Sequence, residues 1–163
     1  MTFAEIADLL TTQFGPELTA NTQNPQPFLT VSANQLVAIC QFLRDDDRLF
    51  FDLLACVTGI DNGTTVNNME VIYNLTSIPY AHDLMIKVIV PRTTGSSKLP
   101  SLPSISHIWR TADWHERETF DLVGIQFDGH PDLRRILLPT DWVGHPLRSD
   151  YREQESYHGI KTT

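Results

Sequence analysis

The sequence is short of the residues on which redox and nucleotide chemistry is usually built. It has two cysteines, Cys40 and Cys56. An ordinary iron–sulfur cluster needs four ligands, and the two are not spaced as a CxxC pair. Both sit among apolar neighbours and read as reduced, buried thiols. There is no GxGxxG, no Walker loop and no glycine-rich strand-to-helix turn, so a nucleotide has no visible seat. A GxSxG nucleophile elbow is missing too. No apolar run approaches the ~18 residues that span a bilayer. Met1-Thr2-Phe3-Ala4-Glu5 lacks the basic start and apolar stretch of a signal peptide, so the chain is expected to stay where it is made. Positive charge is scarce: 12 Lys and Arg face 20 Asp and Glu, for a formal net charge of −8 and a pI of about 5.0. That argues against nucleic acid, which needs a basic face, and against adhesion to anionic lipid. No internal repeat or low-complexity segment is present.

Hydrophobic residues make up 41% of the 163 residues, enough for one domain with a core. Thr2 and Glu5 form a capping box. Phe3, Ile6, Leu10 and Phe14 then recur at helical spacing, up to Gly15-Pro16. Residues 21–27 are turn-rich, and Phe28 to Val31 reads as a short strand. Ser32-Ala33-Asn34-Gln35 repeats the capping signal. It introduces a second helix with Leu36, Ile39, Cys40 and Leu43 on one face. That helix should stop before Asp45-Asp46-Asp47, because acidic residues oppose the dipole at a helix C-terminus. Strands are expected over 50–57, 69–75 and 84–90, the last alternating strictly, with a turn at 59–65. These three should form an antiparallel meander. A loop over 92–103 leads to a third helix from Ser104 to Val123, striped by Ile105, Ile108, Trp109, Ala112, Phe120 and Val123 and ended by Gly124. The expected class is α+β: three or more mostly antiparallel strands with about three helices, plus an extended C-terminal arm.

The domain is expected to span 1–124 and the arm 125–163. The arm has no periodicity, yet Phe127, Trp142, Tyr151 and Tyr157 are costly to leave in water. It reads as a segment ordered by contact, partly with its own domain and partly with a partner.

Two clusters carry the ionisable residues. In Trp114-His115-Glu116-Arg117-Glu118-Thr119-Phe120-Asp121, helical spacing puts Glu116 within the apolar stripe. It should be buried beside a cation or exposed at an interface. Arg117 and Asp121 form an i,i+4 pair. Glu116 and Glu118 make a poor acid–base couple, because residues two apart on a helix diverge. In the second cluster His130 should cap a turn set by Pro131, next to Asp132. Arg134 and Arg135 suit carboxylate contacts. Adjacent residues of an extended segment point to opposite faces, so one arginine should turn to the helix carboxylates and the other outward. A metal site built from His130, Asp132 and His115 or His145 is the weaker alternative, since no histidine pair has tight ligand spacing.

Taken together, the run from Trp114 to Phe127, then Gly129-His130-Pro131-Asp132-Leu133-Arg134-Arg135-Ile136-Leu137, then Asp141 to Tyr151, closely resembles the C subunit of the proton-translocating NADH:quinone oxidoreductase, respiratory complex I. The Leu75-Thr76-Ser77-Ile78 strand end and the preceding layout are also similar. The resemblance implies an α+β domain of the peripheral arm, on the cytoplasmic side of a bacterial inner membrane. It touches the membrane only through the complex. It implies no cofactor in this chain, whereas the whole complex uses NADH, FMN, iron–sulfur clusters and a quinone. The implied partners are chiefly the D-type and B-type subunits of the quinone module, with the arm running over the D-type one. Motif residues carried to that interface are Glu116, Arg117, Glu118, Asp121, Gly124, His130, Pro131, Asp132, Arg134, Arg135, Trp142, Gly144, Pro146, Leu147, Arg148, Asp150 and Tyr151. Where the family usually has Lys after Pro-Leu-Arg, this chain has Ser149. Related subunits of ferredoxin-linked and hydrogenase-type complexes form an alternative, and a free-standing metal-dependent hydrolase a more distant one.

Overall fold

The computed structural model describes residues 1–92 and 98–162. Helix α1 (Phe3–Phe14) opens on the capping box: Thr2 accepts from the Glu5 amide, and Glu5 accepts from the Thr2 amide at 2.7 Å. Strands β1 (Thr19–Asn21) and β2 (Phe28–Val31) follow, then α2 (Leu36–Asp45), β3 (Leu53–Asp61), the single turn α3 (Gly63–Val66), β4 (Asn68–Ser77) and β5 (His82–Pro91). The strands make a five-stranded sheet in the order β1-β2-β5-β4-β3. The expected antiparallel meander of β3, β4 and β5 is present, and β2 adds to β5 in parallel.

One sheet face forms the core. Leu84, Ile86, Val88 and Val90 of β5 and Met69, Val71, Tyr73 and Leu75 of β4 cluster with Ile6 and Leu10 of α1 and with Leu36, Ile39, Cys40 and Leu43 of α2. Burying a Leu, Ile or Val side chain is worth roughly 1.5–3 kcal/mol, so this cluster dominates the stability of the domain.

Several sequence expectations shift. The strand expected at 50–57 starts at Leu53 and runs to Asp61. Phe50 has φ +40° and belongs to the turn that closes α2, so it cannot extend the strand. The turn expected at 59–65 therefore begins only at Asn62, whose neighbours form α3. Helix α2 includes Asp45, and the Asp46 beyond it is neutralised by Arg48 at 2.6 Å. Ser32 does not cap α2: its hydroxyl turns to Gln35 at 3.3 Å, and Gln35 takes the cap position without a side-chain bond. Cys56 is half-buried rather than buried, just past a bulge at Leu54/Cys56.

The largest correction lies before the third long helix. Strand β6 (Ser101–Pro103) ends the expected loop, and α4 (Ala112–Val123) begins eight residues later than the sequence suggests. Part of that loop, residues 93–97, lies outside the described residues. Ile105, Ile108 and Trp109 are buried, but successive turns carry them. The Ser104 hydroxyl is taken by Glu116 and the Trp109 indole by the Phe51 carbonyl. Two turns in succession imitate a helical stripe. Beyond α4, β7 (Gln126–Asp128) pairs in parallel with β6 and buries Phe127, next to the buried Ile125 that precedes it. Strands β8 (Ser156–Tyr157) and β9 (Ile160–Lys161) form a small hairpin.

Candidate functional site

Helix α4 lies along β3 because β3 has a glycine beneath it: a Cβ on Gly59 would stand 2.5 Å from Thr119 Cγ2. From this position α4 turns Asp121 toward the C-terminal segment, and Asp121 is fully buried. One carboxylate oxygen accepts the amides of Ile136, Leu137 and Leu138 at 3.1, 2.9 and 2.8 Å. The other accepts Arg135 at 2.6 Å. Arg135 donates onward to the carbonyls of Trp142 and Gly144 at 3.0 and 3.1 Å. Burial alone would raise the pKa of Asp121. The Leu138 and Leu137 amides, Arg135 and the Ile136 amide together outweigh it and hold the carboxyl below its ordinary value.

The last carbonyls of α4, which a helix leaves unpaired, are taken by the same segment. His145 donates to the Asp121 carbonyl at 2.9 Å and the Leu147 amide to that of Leu122 at 2.9 Å. Arg148 donates to Val123 and Gly124 at 2.8 and 3.0 Å. A cation at this end also complements the helix dipole. Gly124 closes the helix at φ +75°, and a Cβ there would meet the His145 ring at 2.5 Å. Burial first, then the neighbouring Arg148 and Arg135, hold His145 below its ordinary pKa against the pull of the Asp121 carbonyl.

A second buried carboxylate holds the segment farther along. The Asp61 side chain is wholly buried at the end of β3. It accepts Arg92 at 2.7 and 3.1 Å, the Gly63 amide at 3.0 Å, and both the amide and the hydroxyl of Ser149 at 2.9 Å. Arg92 also binds Asp150. Burial opposes the charge here too, and the Arg92 and Ser149 bonds with the Gly63 amide overcome it, so Asp61 lies well below the usual carboxylate range. Ser149, the departure from the family pattern, thus has a definite task in this chain.

Glu116 differs from both aspartates. It is fully buried without a cation in contact. The Ser104 hydroxyl and the Ile105 amide donate to it at 2.6 and 2.8 Å, and His130 Nε2 stands 3.9 Å away. Burial pushes its pKa up to about 7 against those two bonds. Ser104 and Ser106 hydroxyls are 2.8 Å apart and can reverse their donor direction. Glu116 is therefore satisfied both charged and protonated. Neither alternative expected for it, a cationic partner or an exposed interface position, is found.

The Arg117–Asp121 pair is not formed, because Asp121 is already saturated. Arg117 donates to the carbonyls of Arg134 and Arg135, each at 3.2 Å. Arg135 turns inward and Arg134 outward, where it pairs with Asp132 at 2.8 Å. His130 caps the Pro131 turn: Nδ1 accepts the Asp132 amide at 3.0 Å, leaving Nε2 to donate to the Asp113 carbonyl at 3.1 Å. Glu118 and Pro131 are exposed. Trp142 packs on Tyr157, and the Tyr151 ring covers Gly144. Pro146 is half-buried beside exposed Leu147. Among the described residues no three His, Cys, Asp or Glu side chains are placed to hold a metal. The hydrolase alternative is not favoured: both His130 nitrogens are engaged, and His145 serves α4. Cys40 is fully buried, and burial pushes its thiol far above its ordinary pKa.

Asp61, Arg92 and Ser104 were not singled out from the sequence. Asp61 lies inside the segment read as a turn, and nothing local links it to residues 31 and 88 positions away. While the clamp draws the segment in, it leaves Trp114, Leu137, Val143 and Leu147 each at least 61% exposed.

These features define an α+β domain whose C-terminal segment is clamped by two buried aspartates and presents apolar side chains outward. The chain belongs to the family described as respiratory-chain NADH dehydrogenase, 30 Kd subunit, which matches residues 29–157. It is 47% identical over 152 residues to the C subunit of NADH-quinone oxidoreductase from Chloroherpeton thalassium, covering 91% of this chain and 60% of that protein. It is 42% identical over 157 residues to the C subunit from Chlorobium phaeobacteroides, covering 94% and 91%. Its fold also matches a chain in the structure of the membrane-bound sulfane sulfur reductase, an archaeal respiratory membrane complex. There the TM-score is 0.75 at 19% identity, over 91% of this chain and 85% of that one. At that identity the likeness is one of fold.

Proposed function

We propose that this chain is a peripheral-arm subunit of an NADH:quinone oxidoreductase of the complex I type, carrying no redox centre of its own. It holds the quinone-module subunits in register, which fixes the distances that electrons must tunnel. Its partners are chiefly the D-type and B-type subunits, on the cytoplasmic side of the inner membrane. NADH, FMN, iron–sulfur clusters and quinone belong to the rest of the complex. The isolated chain turns over neither NADH nor quinone.

The observation that carries this reading is the pairing of clamp and exposed face. Asp121, Arg135, Asp61, Arg92 and Arg148 are saturated within the chain. They hold the segment in one shape, while Leu137, Val143 and Leu147 remain in water. Large apolar side chains held in water on a segment fixed this firmly point to a protein contact. No helix among the described residues is long and apolar enough to cross a membrane, so attachment through partners is the consistent arrangement. The test is gentle solubilisation of membranes holding a tagged chain. Co-purification with the other oxidoreductase subunits, lost in Leu147→Asp, is expected. A chain that elutes alone under those conditions overturns the proposal, as does NADH or quinone turnover by the pure chain.

A further inference from the structure

The clamp lies at one end of the sheet, and the opposite end carries a second set of exposed apolar side chains. Ile78, Tyr80 and Phe50 are 63%, 49% and 43% exposed. Ile78 and Tyr80 form the hairpin between β4 and β5. The ten residues of β4 separate them from the Asp61 end, a span of roughly 30 Å at strand rise.

This end is built under backbone strain. Phe50 and Ala81 have φ of +40° and +49°, a region that non-glycine residues, bulky ones above all, enter only when their surroundings over-determine it. The surroundings do so. The amides of Leu49 and Phe50 both donate to the Asp46 carbonyl, and the Phe51 amide donates to Leu43. The Ile78 amide donates to Asp52 at 2.9 Å, and the Tyr80 hydroxyl to the Asp47 carbonyl at 2.7 Å. His82, buried beneath, lies 4.8 Å from the Phe51 ring and 5.9 Å from the Tyr80 ring. Its Nε2 donates to the Leu49 carbonyl at 2.8 Å, and its Nδ1 accepts the Met1 amine at 3.3 Å. These bonds lock a conformation whose outward product is an aromatic–aliphatic cluster.

The rim is acidic. Asp47 and Asp52, which bond to the hairpin, and Asp83, next to His82, are exposed and have no ion-pair partner among the described residues, while Arg48 is already bound to Asp46 and the Met1 amine is taken by His82. Arg44 and Arg110 line the groove beyond Asp52, where Arg44 is engaged by the Ile108 carbonyl.

We infer that this pole is a second docking surface, for a partner protein that presents an aliphatic socket ringed by lysine or arginine. An apolar centre with a charged rim is the anatomy of a specific protein contact. A second copy of this chain would set acidic rim against acidic rim, and an anionic bilayer would repel it. The inference rests on the assembly reading and extends it: a chain that keeps neighbours in register must grip them at two separated points, here the Leu147 face and the Tyr80 pole.

The experiment places a benzoylphenylalanine photo-crosslinker at position 80, and in a separate strain at position 147, within the assembled complex. The expected result is two crosslinked products on different partner surfaces, with the position-80 product mapping to a peptide that contains Lys or Arg. A product at position 147 with none at position 80 overturns this inference and leaves the assembly reading standing. So does a position-80 product with lipid or with a second copy. If neither position crosslinks and the chain runs alone, both fail. Ile78→Lys and Ile78→Asp then test the rim. Ile78 is exposed on a hairpin, so neither variant should change the melting temperature of the isolated chain. Ile78→Lys should lower recovery of assembled complex about tenfold, and Ile78→Asp distinctly less. Equal losses, or none, overturn the basic-rimmed socket.

Discussion

From β2 through β5 the chain is ordered by apolar burial: nearly every second residue of β4 and β5 is removed from water, and few ionisable side chains take part. From Arg134 to Asp150 no residue is fully buried, yet the backbone is held at one bond after another by Asp121, Arg117, Arg135, Arg148 and Asp61. The two regions lie in contact but rest on different physics. Apolar burial is non-directional and tolerates substitutions of similar volume. A buried carboxylate that accepts three or four bonds is directional, and losing it strands every donor at once.

The sharpest break between the two regions should come from Asp121→Ala. It leaves Arg135 and three amides without their acceptor, a loss of about 3–5 kcal/mol for a buried partner. Hydrogen exchange should show residues 134–148 losing protection while β5 keeps it. Equal loss in both would mean that the segment and the sheet form one cooperative unit.

Glu116 sharpens the comparison through pH. Its folded pKa is raised above the ordinary value to about 7. The stability it contributes is thus complete below about pH 4.5 and is lost as pH rises through about 7, on the order of 3 kcal/mol in all. Asp61 and Asp121 have lowered pKa values, so their contribution is present above the ordinary carboxylate range and fades only in strong acid. Measured against Glu116→Gln in thermal melts, the chain should therefore lose stability between pH 5.5 and pH 8; the lowered pKa of His145 acts in the other direction in both chains and cancels in the comparison. Glu116→Gln should remove that slope and make the chain more stable at pH 8. An unchanged slope would place the titration elsewhere.

The two arginines separate the clamp from the surface. Arg135→Ala should lower stability by about 2–3 kcal/mol, since it strips Asp121 of its cation and two carbonyls of their donor. Arg134→Ala, whose ion pair is open to solvent, should leave the melting temperature unchanged. Any effect of Arg134→Ala should be on recovery of assembled complex alone. Equal destabilisation by the two variants would erase the inward–outward distinction.

Legibility followed the range of the interaction. The Thr2–Glu5 capping box, the face of α2, the alternation of β4 and β5 and the Gly124 stop are local patterns, and all stand in the fold. That one of Arg134 and Arg135 turns inward was expected from the geometry of an extended chain; that it is Arg135, and that Arg134 pairs with Asp132, came only from the fold. The helix expected from Ser104 failed because two turns placed Ile105, Ile108 and Trp109 at helical spacing. What separates them from a helix is Ser104 bonding to Glu116 and Trp109 to Phe51, both long-range contacts.

The sequence by itself determined the class of fold, the core strands, the family to which the chain belongs, and the placing of its dense motif at the end of α4. Tertiary structure alone decided which carboxylates carry charge. Asp121 and Asp61 are buried among donors most of which lie 14 to 88 positions away, the Gly63 amide being the local exception, and both remain ionised. Glu116, four residues from the Ala112 and Phe120 of its own stripe, is buried among neutral donors, and its proton is held to near-neutral pH. Composition and spacing are the same kind of fact for all three. Their difference lies in what burial brings within hydrogen-bond reach, and the chain reveals that only when it is folded.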